Sequence, residues 1–277
     1  CRCGNRKGAR KLNGTPETAS RLADTAMLAA VIILENGGET FRAEETAVRI
    51  CRAAGKPETE VIALPTGIFI TVRSESGSSV SSVARIKERA MNLCRVERAN
   101  AYSREFDSGR LSLEELNAKL TALRHSTLAS RPVVALFAGI SSAMFTLLFE
   151  PSLSLSVLFD IAVTFICTFA AEYICTVSRL RSTHPFTVTF IGSAIMALIA
   201  ALATGISGIG NLGCIIIGAI TPLLPGVSLT NAIRDTVMGD IVSGTARLAE
   251  TVIIAIAIAG GVGIVLAAYV NITGGAL

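Results

Sequence analysis

Apolar residues recur at helical spacing from Glu17 to Asn36, with Leu22, Ala26, Ala29, Ala30 and Ile33 on one face, and Asn36-Gly37-Gly38 supplies a stop. A second helix is predicted from Thr40 to Ala54, with Ala43, Ala47, Ile50 and Ala54 as its apolar stripe. Glu39, Arg42, Glu45 and Arg49 are spaced three or four apart on the other side, the pattern of a solvated salt-bridge face. The period then shortens: Val61 to Leu64 and Ile68 to Val72 are β-prone, and Pro65-Thr66-Gly67 between them has turn chemistry, so residues 60–73 read as a hairpin. A long amphipathic helix over 83–106, the breaker "DSGRLS" and a helix over 113–124 complete an α+β region. Ser112 with Glu115 three residues on is a capping-box signal for the last helix.

Beyond Pro132 the pattern changes character. Five segments, near 133–149, 154–178, 186–204, 211–229 and 248–270, are long and apolar enough to cross a hydrocarbon core of about 30 Å. The chain therefore reads as a basic, disordered arm (1–16), a cytoplasmic α+β domain (17–131) and a transmembrane domain of five helices (132–277), one of them broken by proline. This is a polytopic α-helical membrane protein with an amino-terminal α+β domain.

Composition agrees with two solvents. The 277 residues are 51% hydrophobic with mean hydropathy +0.58, too apolar for an ordinary soluble domain. Residues 1–132 hold 21 of the 25 Lys and Arg and 15 of the 21 Asp and Glu. The net charge of +4, without aromatic interleaving or a nucleic-acid motif, gives no ground for nucleic-acid binding. The seven cysteines include no C-x-x-C pair, so small buried thiols are expected rather than disulfides or a metal, and no cofactor is predicted. His125 falls at a helix end and His184 before Pro185, neither with metal-ligand spacing or a neighbouring nucleophile. "AMLAAVIIL" (26–34) lacks the flanks of a signal peptide: Asp24 precedes it and no small-x-small site follows. The basic arm suits the surface of an anionic inner leaflet.

The loops set an orientation, since Lys and Arg are retained on the cytoplasmic side. Arg179 and Arg181 follow the second span and Arg234 and Arg247 the fourth, while the other loops and the tail "NITGGAL" have neither residue. The amino-terminal domain is thus predicted inside and the carboxyl terminus outside. Within the spans Asp160 and Glu172 are the costly ionisable residues, and Asp160, farther from the end, is the better candidate for substrate or proton. In "TPLLPGVSLTNAIRDTVMGDIVSGTARLAE" (221–250), Pro222, Pro225 and Gly226 break the fourth span about 16 to 21 Å into the bilayer. A helix restarting near Ser228 would turn its positive amino end toward that break, the device that holds carboxylates in broken-helix transporters. Thr230, Asn231 and Asp235 follow as candidate substrate-binding groups. Arg234 and Asp240 suit the inner mouth, and Gly239, Ser243 and Gly244 offer small surfaces for helix packing.

"PGVSLTNAIRDTVMGDIVSGTARLAE" (225–250) closely resembles the signature of the threonine/serine exporter family, and "ILENGGETFRAEETAVRICRAAG" with "PTGIFITV" resembles that family's amino-terminal domain. The resemblance implies export of threonine and serine, or of succinate-like dicarboxylates in split members, across the bacterial inner membrane. With five spans the chain resembles the larger, YjjP-type subunit of a split exporter, and implies as partner a small YjjB-type membrane subunit, in a higher oligomer. By position the resemblance carries over Gly38, Glu39, Thr40, Phe41, Arg42 and Glu44, with Thr66 and Gly67, as the amino-terminal motif. It also carries over Pro225, Gly226, Thr230, Asn231, Arg234, Asp235, Gly239, Asp240, Ser243, Gly244 and Arg247. A transporter rather than an enzyme is expected; a membrane-embedded hydrolase or metabolite-sensing regulatory subunit is the alternative. No His precedes His125, so the hydrolase-like pattern of some fused members is not matched.

Overall fold

The computed structural model describes residues 16–56, 58–73, 79–87, 90–126, 130–151, 154–177 and 184–274. The basic arm before Pro16, and Arg179 and Arg181 of the orientation argument, lie outside the described residues. The chain divides into two compact units, one of residues 1–126 with 227–248, the other of residues 127–226 with 249–277.

In the first unit α1 (Pro16–Glu35) is the central helix, packed against every other element of the amino-terminal stretch through residue 126 except the edge strand β1. That explains its composition: Leu22, Ala26, Ala29, Ala30, Ile32 and Ile33 are all buried, and alanines let neighbours approach closely. It ends in a Schellman turn. Gly37 has φ +83°, the Gly38 amide donates to Ile33 O at 2.8 Å and the Gly37 amide to Leu34 O at 3.3 Å. Next comes α2 (Thr40–Ala53), burying Ala43, Ala47 and Ile50 as its stripe requires.

β1 (Thr59–Leu64) and β2 (Gly67–Arg73) form the predicted hairpin around Pro65-Thr66. A third strand, β3 (Ser79–Arg85), pairs antiparallel with the other edge of β2. The helix predicted over 83–106 is corrected accordingly: α3 spans Leu93–Asp107, and Val83 to Arg85 are strand. Residues 81–87 are compatible with helix, but the open edge of β2 offers ladder hydrogen bonds to the whole of 79–85. The helix starts only where the Asn92 side chain accepts the Arg95 amide at 3.2 Å. α4 (Leu113–His125) begins at the predicted capping box, with both reciprocal bonds formed between Ser112 and Glu115.

The second unit holds α5 (Arg131–Phe149), α6 (Leu155–Val177), α7 (Pro185–Ser207) and α8 (Leu212–Ile220). Its core joins Cys167, Met196, Ala200, Ile215 and Ala219, while many large apolar side chains, such as Phe137, Leu148 and Ile206, face outward. A single 3-10 turn, Thr221–Leu223, separates α8 from α9 (Gly226–Val237), and α10 (Ile241–Thr273) follows. Among the described residues four helices are long and apolar enough to cross a membrane, five if the pair Leu212–Leu223 and Gly226–Val237 is one span. The protein is a polytopic helical membrane protein.

One span differs from expectation in its partners. At about 1.5 Å per residue α8 covers only about 14 Å, and the chain passes from the second unit to the first just after Gly226. α9 and the first turns of α10 group with the amino-terminal elements, so the units do not follow the linear division at 131/132. The reason is chemical: α9 carries Asn231, Arg234 and Asp235, and their bonding partners lie on the α1–α2 turn.

Candidate functional site

The α1–α2 turn, Gly37 to Thr40, and the α9–α10 turn, Met238 to Asp240, are the two halves of a polar cluster inside the first unit. The second is also a Schellman turn: Gly239 has φ +99°, the Asp240 amide donates to Asp235 O at 2.9 Å and the Gly239 amide to Thr236 O at 3.2 Å. Asp240 O then accepts the Gly244 amide at 2.9 Å to start α10. A Cβ on Gly244 would lie 2.0 Å from Thr236 Oγ1 and 2.8 Å from Ala232 O, so only glycine lets α10 start this close to α9.

Side chains tie the two turns together. Asn231 Nδ2 donates to Gly37 O at 2.9 Å and Arg247 Nη2 to Gly38 O at 2.8 Å. Thr40 Oγ1 lies 2.9 Å from Asp235 Oδ1 and 3.3 Å from Asp240 Oδ2, and donates its single proton to the nearer carboxylate. Arg247 Nε is 3.1 Å from Asp235 Oδ2, an ion contact whose angle falls short of a hydrogen bond; Asp235 is fully buried. Arg234 pairs with Glu39, which Arg42 Nε also reaches at 3.0 Å. Glu39 is 7% exposed, so this part of the face expected to be solvated is covered, while Arg49 and Glu45 form the exposed pair that spacing suggests. Glu44 Oε1 accepts the Ala63 amide at 2.8 Å. Burial pushes the Glu44 carboxyl above its usual range, the Ala63 bond opposes this, and the nearby Asp240 and Asp235 add to the rise.

The other predicted residues fall elsewhere. Thr66 and Gly67 form the β1–β2 turn, where Thr66 O accepts the Ile86 amide at 3.0 Å, and do not join the cluster. Pro222 lies in the 3-10 turn and Pro225 just before α9, while Thr230 is exposed on α9. Ser243 is buried at the start of α10. Asp160, fully buried on α6, accepts the Asn211 amide on both carboxylate oxygens at 3.1 Å, and Asn211 in turn caps α8 by accepting the Cys214 amide. Asp160 thereby fixes the start of α8.

Sequence reasoning missed two groups. In the second unit Thr146 Oγ1 donates to Thr164 Oγ1 at 2.9 Å and Thr168 Oγ1 to Ala219 O at 3.3 Å. A Cβ on Gly218 would lie 2.2 Å from Thr146 Oγ1. The signal was present as hydroxyl residues four apart within apolar spans. In the first unit a cleft of about 430 Å³ opens beside Gly38, Glu39 and Arg42. Its other wall comes from α3, whose Glu97, Asn100 and Arg104 face it. All three lie within the helix predicted over 83–106, but their spacing does not say that the α1–α2 turn is the facing wall. Of the described cysteines, Cys51, Cys167 and Cys175 are buried, but Cys94 is exposed.

Residues 24–269 match the family model described as "Putative threonine/serine exporter". The chain is 24% identical over 234 residues to a Klebsiella aerogenes protein named "Probable succinate transporter subunit YjjP", covering 84% of this chain and 88% of that one. No solved structure matches the chain.

Proposed function

We propose, since the chain belongs to the threonine/serine exporter family, that it is one subunit of an inner-membrane exporter of small polar carboxylates. The substrate is a threonine- or serine-like amino acid or a succinate-like dicarboxylate, and a small YjjB-type membrane subunit completes the transporter. The relative's name, a succinate transporter subunit, supports both the carboxylate and the need for a partner. The amino-terminal domain lies on the cytoplasmic side, in keeping with the lysines and arginines concentrated before residue 132.

The observation that carries the reading is the break between α8 and α9. Residues 221–226 interrupt an otherwise apolar helical pair, and irregular backbone at membrane depth is tolerated only where protein or water meets it. A substrate carboxylate is held by the amino end of α9, from Gly226 to Thr230. Asn231 and Asp235, bonded to the α1–α2 turn, hold that helix rather than the substrate. Arg234, Gly239, Asp240, Ser243 and Arg247 shape the inner mouth.

Reconstitution into liposomes tests this. Outward flux of labelled succinate, threonine or serine is expected only when the small subunit is present, and Pro225→Ala is expected to reduce it several-fold at equal protein. Full flux from the isolated chain, or an unchanged rate in Pro225→Ala, contradicts the respective part of the reading.

A further inference from the structure

We infer that the cleft of the first unit, which Val227 and Asn231 of α9 also border, binds a free α-amino acid as its zwitterion. The cleft's volume, about 430 Å³, falls within the span typical of small-molecule sites, about 300 to 1,000 Å³. Its charges are balanced: Glu39 and Glu97 face Arg42 and Arg104. A site for a dicarboxylate would present cations in excess, and one for an amine carboxylates in excess.

The order of the groups along α3 matches one ligand. Glu97 and Asn100 are three residues apart and Asn100 and Arg104 four, so the three form one row with neighbours about 5 to 6 Å apart at Cβ. Thr46 Oγ1 donates to Asn100 Oδ1 at 2.9 Å, which leaves the Asn100 Nδ2 group as the donor. The row therefore presents an acceptor carboxylate, then a neutral donor, then a guanidinium. An α-amino acid places its ammonium and its carboxylate one carbon apart: the ammonium meets Glu97, and the carboxylate meets Asn100 Nδ2 and Arg104.

Across the cleft, Glu39 is already paired with both Arg42 and Arg234, so its charge is met within the fold and Glu97 is the carboxylate left for the ammonium pole. Among the described residues Glu97 and Arg104 make no ion pair with each other or with a third residue, and both are exposed. Because the wall opposite is the α1–α2 turn, to which Asn231, Arg234 and Arg247 are bonded, an occupant bears directly on the residues that hold α9.

The test uses the full chain in detergent or nanodiscs, with L-serine, succinate and ethanolamine as titrants in calorimetry. L-serine is expected to bind more tightly than either of the others. Glu97→Lys should weaken L-serine about tenfold or more and strengthen succinate, because the ammonium pole becomes a second carboxylate pole. Arg104→Gln should weaken both. Glu97 and Arg104 are exposed, so neither substitution threatens the fold; a merely structural role would not exchange one ligand for another. The inference is overturned if wild type prefers succinate or binds none of the three, or if Glu97→Lys leaves the L-serine affinity unchanged. Flux measured on the same preparations keeps the outcomes apart: binding without flux speaks against the transport reading alone, and flux with an unaltered ligand preference speaks against this cleft alone.

Discussion

Glu44 accepts the Ala63 amide while burial and the carboxylates of Asp235 and Asp240 oppose its ionisation. A carboxyl raised in this way binds its proton more tightly folded than unfolded. Its contribution is therefore full below the ordinary glutamate range, about pH 4, and is lost as pH rises through the raised value. Glu44→Gln keeps an acceptor for Ala63 and removes the charge. It should unfold at higher temperature than wild type at pH 7, with the difference disappearing near pH 4; equal melting at both pH values would disprove this account. The Asp235 and Arg247 pair rests on charge against charge, because Asp235 is fully buried, Arg247 is only slightly exposed and each is the other's counter-charge. Arg247→Met alone should cost about 3 kcal/mol or more in denaturant unfolding by leaving Asp235 uncompensated, and adding Asp235→Asn should recover part of the loss. The sequence made these residues visible as charges near a proline break. It could not say that Thr40 and Gly38, some two hundred positions earlier, were their partners, since spacing along a chain carries no information about contacts so distant.

Elements were legible where local chemistry decides them. The capping box at Ser112, the glycine stop at Gly37 and the Pro65-Thr66 hairpin all rest on interactions within a few residues, and each forms as its sequence demands. Ser112→Ala should accordingly cost about 1 kcal/mol by removing a hydroxyl that accepts the Glu115 amide, measurable as a shift in the denaturant midpoint at unchanged slope. β3 was not legible, because its stability comes from the edge of β2 rather than from its own residues: Val80, Ser82 and Ala84 are only half-buried and alternate with exposed positions. The same holds for α9. Its twelve residues look like the continuation of a span, yet they include an apolar face interrupted by Asn231 and Asp235, and those two, with Ala232, are what the structure buries. Hydropathy reports how apolar a segment is, and it is silent on which neighbour will satisfy the polar groups within it.

At the scale of the molecule, the chain's two units are interleaved in sequence, since Val227–Leu248 completes the unit begun by residues before 127. The expected boundary at 131/132 follows the change of solvent, from charged to apolar composition, which is a property of the chain taken in order. The units follow bonding instead. Thr40 is fully buried and bonds to Asp235, and the carbonyls of Gly37 and Gly38 accept from Asn231 and Arg247, so an amino-terminal fragment alone would leave these groups without their partners. Uncompensated buried polar groups each cost about 1 to 3 kcal/mol, a large fraction of what a domain of this size has to spare. A fragment of residues 16–126 should therefore exchange the amides of the first turns of α2 rapidly, or fail to fold. The same fragment joined through a flexible linker to residues 227–248 should protect them by at least about tenfold more. Equal protection in the two fragments would mean that the amino-terminal elements are complete by themselves. α9 would then be free to leave them without cost, and the coupling between the α1–α2 turn and the α8–α9 break would have no energetic basis.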